Sequence, residues 1–390
     1  MSKIKMNNEL KLLHIITGLS TGGAETMLYK LLSRMDKGLY ASQAVSLLGK
    51  GPMAERIEAL GVPVQAVNMS RGVPDPRGIW RLSRLIRNYD PDVIQTWMYH
   101  ADLIGGLAAK MAGNYPVVWN IRHSNLHPRE NKKTTIWTAK ACALLSRWIP
   151  KKIVCCSEES RRVHASLGYD QDRMLVIPNG FDLEAFGPNK EARRSLRSEL
   201  GLGQDALLIG MAARFNPQKD HFNLVQASKH LKDQGLEVYF MFCGPGMDRE
   251  NEELCGWIKE IGLEDRFFLL GPKSDMPSIT AALDVACLSS AYGEGFPNVL
   301  GEAMACEVPC VATNVGDSAE IVGDTGRVVP PRDPETLAMA IKELIDMETE
   351  GRTELGKRAR QRVEERFELG KVVRQYEDMY RLVCEAKNAE

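Results

Sequence analysis

Apolar runs of strand length alternate with helical stretches along the whole chain. In the first half the runs are residues 11–17, 43–48, 64–67, 93–96, 117–121 and 153–156. In the second half they are residues 206–212, 237–243, 267–270, 285–288, 309–312 and 327–329. These runs are predominantly apolar and do not alternate strictly with polar residues. That pattern suits strands buried on both faces, in parallel sheets covered by helices above and below. Helical patterns at residues 24–35, 78–88, 103–111 and 134–147 separate the early runs, and helices again separate the later ones.

A dozen such strands exceed one comfortable core. The chain has 390 residues, which at roughly 100–200 residues per domain suggests two or three domains. A break falls at residues 177–188, IPNGFDLEAFGP, where Pro, Gly and Asn precede a charged helix. The expected organisation is therefore two doubly wound α/β domains, 1–180 and 181–370, with a terminal helix at 371–390. Helices are expected at 333–346, 353–366 and 371–386.

Composition removes several other classes. With 44% hydrophobic and 26% charged residues the chain falls among ordinary globular proteins. No run approaches the roughly 18–20 apolar residues of a spanning helix. The first ten residues mix Lys3, Lys5, Asn7, Asn8 and Glu9, so they hold no apolar signal-peptide core. The nine Cys form no CxxC pair, which points to packed reduced thiols and a cytoplasmic location.

Charge is balanced overall but not along the chain. Residues 1–178 hold 25 Lys and Arg against 14 Asp and Glu, a net +11. Residues 179–390 hold 25 against 37, a net −12. Such asymmetry points the first half towards an anionic partner, either a membrane surface or a lipid diphosphate acceptor. Nucleic acid is the weaker option, because no binding fold or aromatic-basic interleaving is present. Arg77, Arg81 and Arg84 share one helix face, near Arg71 and Arg87. Trp137, Ala141, Leu144 and Trp148 share another, flanked by Lys132, Lys133, Lys140, Arg147, Lys151 and Lys152. A basic face with Trp can rest on anionic lipid. The expectation for the two Trp is instead that they pack on their own sheet.

In open parallel sheets ligands sit beyond the carboxyl ends of the strands. After the first strand comes GLSTGGAET, where Gly18, Gly22 and Gly23 precede a helix. A glycine turn at a helix start can cradle an anion, or can simply be a tight turn. It is not GxGxxG, and no acidic residue ends the second strand as a dinucleotide site requires. After the strand at 206–212, GMAARFNPQKDH places Arg214 and Lys219 five residues apart. Two cations there can clamp a diphosphate, or can be ordinary solvated charges. In YGEGFPNVLGEAMA, Gly295, Phe296, Pro297 and Asn298 open a helix that carries Glu302 among apolar neighbours, with Glu294 in the loop before it. Carboxylates accept hydrogen bonds from sugar hydroxyls, and a helix start suits phosphate oxygens. The alternative is a capped helix with a surface Glu.

Taken in order, these motifs resemble family 4 of the nucleotide-sugar glycosyltransferases. The likeness spans GGAET, the late His of the first half, PNG at the linker, ARFNPQKDH, the CGPG strand end and the E-x7-E of EGFPNVLGEAMA. The resemblance implies the GT-B fold, two Rossmann-like domains facing across a cleft, the first binding acceptor and the second the nucleotide-sugar. It implies that Arg214 and Lys219 neutralise the diphosphate, aided by backbone N–H groups of Phe296, Asn298 and Val299 and of Gly23. Glu294 would hold donor-sugar hydroxyls and Glu302 the ribose. Gly244, Gly246, Pro272 and Lys273 would flank the base, and His123 would lie near sugar and acceptor. Asp220 stands where many members carry Gly, a departure that touches loop shape. The terminal helix 371–390 is expected against the first domain.

The implied activity is retaining transfer of a hexose or N-acetylhexosamine from a nucleotide-diphosphate sugar, UDP favoured. The acceptor would be a glycan or polyprenyl-diphosphate-linked intermediate of bacterial surface polysaccharide. No cofactor or metal is expected, because fixed cations can stabilise the charge that grows on the leaving diphosphate. A peripheral position on the inner face of the membrane is a further expectation. A nucleotide-sugar epimerase, a small-molecule glycoside synthase and a non-catalytic sugar-nucleotide-binding partner stay open as alternatives. Three features are set aside. Asp90-Pro91-Asp92 spells DxD but precedes its strand, so it reads as a turn. The seven His show no ligand spacing, and His14 reads as a satisfied core residue. His100 and His127 remain weak candidates for the cleft.

Overall fold

The computed structural model describes residues 9–70, 75–126, 128 and 131–389, so Arg71 and His127 lie outside the described residues. It divides into two units, Met1–Gly180 with Leu369–Glu390, and Phe181–Glu368. Each unit is built on one parallel sheet.

The first sheet holds β1 (Leu10–Ile16), β2 (Tyr40–Ser46), β3 (Val64–Ala66), β4 (Val93–Trp97), β5 (Val117–Ile121), β6 (Pro150–Cys155) and β7 (Met174–Val176), in the order β3-β2-β1-β4-β5-β6-β7. The second holds β8 (Leu207–Ala212), β9 (Val238–Cys243), β10 (Phe267–Leu269), β11 (Val285–Leu288), β12 (Cys310–Thr313) and β13 (Arg327–Val329), in the order β10-β9-β8-β11-β12-β13. Both sheets start in the middle, wind to one edge, then return and wind to the other. The winding reverses between β1 and β4, and between β8 and β11. Those are the points where such sheets leave a crevice for a ligand.

The central strands are apolar because helices cover both sides. Helices Gly23–Arg34 and Pro52–Glu58 bury Met27, Leu28, Leu31, Ala54 and Ile57 on one face of the first sheet. Helices Pro76–Tyr89, Tyr99–Ala112 and Lys133–Leu145 bury Leu82, Ile86, Ala108 and Cys142 on the other. The last helix, Leu369–Ala389, places Val372, Val373, Tyr376, Met379, Tyr380 and Val383 in the first of these cores. β7 has no counterpart among the expected strands. It is a three-residue edge strand that runs directly into the break at residues 177–188.

Some polar groups lie inside the fold. His14 is the fully buried core residue expected in β1, where Trp97 Nε1 donates to its Nδ1 at 3.4 Å and Tyr380 lies beside the ring, while its Nε2 has no hydrogen-bond partner among the described residues. Burial pushes its imidazole down to about 3. The charged helix Lys190–Glu199 buries Arg197 completely, with Nη2 donating to Asp284 Oδ2 at 2.5 Å. Asp284 also accepts from Leu208 N at 2.8 Å, which ties the start of β11 to β8. Asp90 takes a left-handed φ of 51° as a helix C-cap, and Asp92 Oδ2 accepts from Lys11 N at 2.9 Å. The DxD tripeptide is thus a turn at the amino end of β4. Among the described residues no helix is long and apolar enough to cross a membrane.

Candidate active site

The loops after β8, β9, β10 and β11 converge at the reversal point of the second sheet. Ala213 N donates to Cys243 O at 2.9 Å, and Phe215 N to Pro245 O at 2.8 Å. Gly244 N donates to Gly271 O at 2.9 Å, which brings in the turn leading to Pro272 and Lys273. Gly244 has φ 142°, and a Cβ there would lie 2.1 Å from Ala213 O. Only glycine permits this approach of two backbones. Gly246 also has a positive φ.

The loop carrying Arg214 closes as a short 3-10 turn at Pro217–Lys219, with Asn216 Oδ1 accepting from Gln218 N at 2.9 Å. Asp220 follows with φ 47° and caps helix His221–Asp233 by accepting from Asn223 N. The left-handed φ explains why glycine suits this position, and the cap explains why Asp is tolerated. His221 is buried against Phe215 and Phe242. Burial, with the Lys219 charge adding to it, lowers its imidazole to about 4, so it is neutral beneath the loop.

From this turn Lys219 Nζ reaches Glu294 Oε1 at 2.5 Å. Ser290 Oγ donates to the same oxygen at 2.5 Å. Glu294 is buried, and Lys219 is mostly so. The two loops are also joined through backbone. Ala291 N donates to Gln218 O at 2.9 Å, and Gln218 Nε2 to Gly293 O at 3.0 Å. Gly316 supports Glu294 from behind: its φ is 59°, and a Cβ would lie 2.2 Å from Glu294 O. Asp317 N donates to Gly295 O at 3.0 Å.

Helix Asn298–Ala305 begins immediately after Pro297. Phe296 is buried between Phe181 and Phe367, which fixes the entry to the helix. Glu302 is half-buried and lines a cavity of about 20 Å³ with Gly210 and Ala212 of β8, Val299 and Leu300. Arg214, Lys219, Gly244, Gly246, Lys273, Glu294, Gly295, Phe296, Asn298, Val299 and Glu302 all belong to this unit, on the strand-end loops or the helix that follows.

Gly22, Gly23 and His123 belong to the other unit. Gly22 is the N-cap of helix Gly23–Arg34, but a Cβ on it would lie 2.6 Å from Glu25 Oε2. The Glu25 carboxylate is buried against this turn and accepts from Ser20 Oγ at 3.2 Å. The Glu25 carboxyl group thus lines the turn that Gly22 opens. Gly23 faces open space. His123 follows β5, with Nε2 2.9 Å from Asn131 Oδ1 and its carbonyl accepting from Ser160 Oγ at 2.8 Å.

The motifs did not include Ser290, and although Gln218 stands inside ARFNPQKDH nothing there marked it as the residue that joins the two loops of the second unit. Nor did they mark Arg122, which donates to Asn179 of PNG at 2.5 Å and to Tyr376 Oη. Ser290 follows a strand end, and that was the only available signal.

Known proteins are similar to this chain in sequence and in fold. Residues 21–185 match the model described as Glycosyltransferase Family 4, and residues 192–362 that described as Glycosyl transferases group 1. EpsF of Bacillus subtilis (strain 168) is 31% identical over 324 residues, 79% of this chain and 80% of that protein. The chain belongs to glycosyltransferase family 4. This family 4 transferase is also 25% identical over 339 residues to the UDP-Gal:alpha-D-GlcNAc-diphosphoundecaprenol alpha-1,3-galactosyltransferase of Escherichia coli, covering 85% of this chain and 86% of that one. HepE of Anabaena, solved in complex with UDP, matches its fold with a TM-score of 0.84 at 23% identity, over 95% of this chain and 99% of the other. The fold of the transferase is GT-B.

Proposed function

We propose that this transferase moves a hexose or N-acetylhexosamine from a UDP-sugar to a lipid-linked glycan in bacterial surface polysaccharide synthesis, with retention at the anomeric carbon. The observation that carries the reading is the Lys219–Glu294–Ser290 cluster at the reversal point of the second sheet, where Lys219 comes from the loop that also holds Arg214 and the other two from the loop after β11. An ammonium has three donors, so Lys219 can keep Glu294 and still donate to a phosphate oxygen. Support for the donor comes from HepE, which has been solved with UDP and with UDP-glucose. Support for the acceptor comes from the Escherichia coli relative, whose name gives a diphosphoundecaprenol-linked sugar.

In this reading the bond from C1 to the diphosphate oxygen breaks, and its electron pair leaves with the phosphate. Arg214, Lys219 and the start of helix Asn298–Ala305 stabilise that growing charge. The acceptor oxygen bonds to C1 on the same face, and its proton passes to the departing phosphate oxygen. Glu294 accepts from sugar hydroxyls and Glu302 from the ribose. Gly244, Gly246, Pro272 and Lys273 flank the base, while His123 serves the sugar and acceptor side. Fixed cations supply the charge stabilisation, so no divalent metal is needed.

The test is a thermal-shift screen of UDP-, GDP- and ADP-sugars, followed by transfer to a diphospholipid-linked GlcNAc acceptor. A ligand at 100 times its Kd stabilises the folded state by about 2.7 kcal/mol, a shift of several degrees. A UDP-sugar should produce it. A response to GDP- or ADP-sugars alone, or no sugar transfer with a binding donor, would overturn the proposal.

A further inference from the structure

Ten large apolar side chains are exposed among the described residues, and six of them gather on one helical layer of the first unit. Trp80 lies on helix Pro76–Tyr89, Leu107 and Met111 on Tyr99–Ala112, Trp137 and Leu144 on Lys133–Leu145, and Trp148 just beyond it. The middle helix packs against both others, and all three bury their inner faces in the same core. Their outer faces therefore form one surface. Trp137, Leu144 and Trp148 are 71%, 74% and 68% exposed, which corrects the expectation that the two Trp pack on their own sheet. A soluble domain rarely leaves so much apolar area together without a partner.

The charge on this surface has one sign. The first helix carries Arg77, Arg81, Arg84 and Arg87, the second Lys110, and the third Lys133 and Lys140. The sole carboxylate in the three helices, Asp102, is fully buried. Asp75 and Asp90, at the ends of the first helix, are already engaged by Arg81 and Tyr115. Arg84 lies 4.9 Å over the Trp80 ring, and Lys140 Nζ 5.7 Å from that of Trp137. Trp, Leu and long cationic stems together suit the headgroup zone, where rings enter the interface and charges meet phosphates.

We infer that this helical layer docks on the anionic face of a phospholipid bilayer, with Trp137, Leu144 and Trp148 entering the headgroup region. A second copy of the chain would set like charges against each other, whereas anionic lipid complements them. The inference deepens the lipid-linked acceptor reading, but vesicle binding and donor binding are measured separately. Loss of one leaves the other standing.

The experiment is flotation of the full chain with vesicles of phosphatidylcholine alone or of equimolar phosphatidylcholine and phosphatidylglycerol. Tryptophan emission and its quenching by brominated acyl chains are read in parallel. Anionic vesicles should carry the protein, shift its emission to the blue and quench it, and the binding should weaken with salt. The W137S/L144S/W148S variant should bind at least about tenfold more weakly. Its melting temperature and UDP response should be unchanged, since these side chains support nothing inside the fold. Equal recovery on neutral and anionic vesicles, an emission unmoved by lipid, or unchanged binding by the triple variant would overturn the inference. So would a dimer in sedimentation velocity that the triple substitution abolishes, in a protein that ignores vesicles.

Discussion

Lys219 Nζ and Glu294 Oε1 lie 2.5 Å apart, joining loops that are 75 residues distant in sequence. The pair holds a cation and a carboxylate at the reversal point of the second sheet before any substrate arrives. Each group has its partner in place, so neither carries an uncompensated buried charge. Ser290 fills a further acceptor position on the carboxylate.

Lys219→Ala should therefore do two things. Turnover should fall by more than about tenfold, because a charge-assisted contact to the developing diphosphate is lost. Stability should also fall, by up to about 3 kcal/mol, because Glu294 keeps its burial and loses its counter-charge. Steady-state kinetics and urea unfolding of the single variant and of Lys219→Ala/Glu294→Gln separate the effects. The double variant should regain stability but not activity. Near-normal turnover in Lys219→Ala would contradict the assigned role.

Gly316→Ala should damage the same site from behind. Its positive φ and the 2.2 Å approach to Glu294 O forbid a methyl group without backbone movement. A cost of about 2–4 kcal/mol follows from strain and overlap. Calorimetry should show a lower melting temperature, and UDP affinity should drop with it. A variant with wild-type UDP affinity would mean that the Glu294 loop does not need this support.

Acid should destabilise the fold before its carboxylates titrate. His14, His164 and His221 are lowered by burial to about 3, 4 and 4. Each folded value lies below the unfolded value, so the unfolded chain takes up the proton first. The stabilisation they represent is complete above about pH 6.5 and is lost as the pH falls towards the folded values, at about 1.4 kcal/mol per pH unit per group. Urea midpoints should be level from pH 7 to 8 and fall steeply below pH 6. A level midpoint down to pH 4.5 would show that these rings are not buried in their neutral form.

EDTA should leave transfer activity largely intact, because Arg214 and Lys219 are covalently fixed charges that a chelator cannot remove. Complete loss restored by a divalent cation would mean that a metal carries the diphosphate charge instead.

The alternation of apolar runs with helical stretches was enough to define the α/β class and nearly every strand. Such runs are local, and a strand buried on both faces must be apolar whatever its neighbours are. The order of GGAET, ARFNPQKDH and EGFPNVLGEAMA was likewise enough to name the family. Which side chains meet was decided only by the folded chain. Ser290 lies outside every motif and Gln218 stands unmarked inside ARFNPQKDH, and both matter because the β8 and β11 loops lie side by side. Glu25 stands against Gly22 because the helix start folds its first-turn carboxylate back on the turn. Trp137 and Trp148 read as a face ready for packing, yet among the described residues no element of their own unit covers that face. Periodicity records which residues share a side of a helix. What lies opposite that side, whether sheet, solvent or lipid, depends on contacts distant in sequence, and no local pattern encodes them.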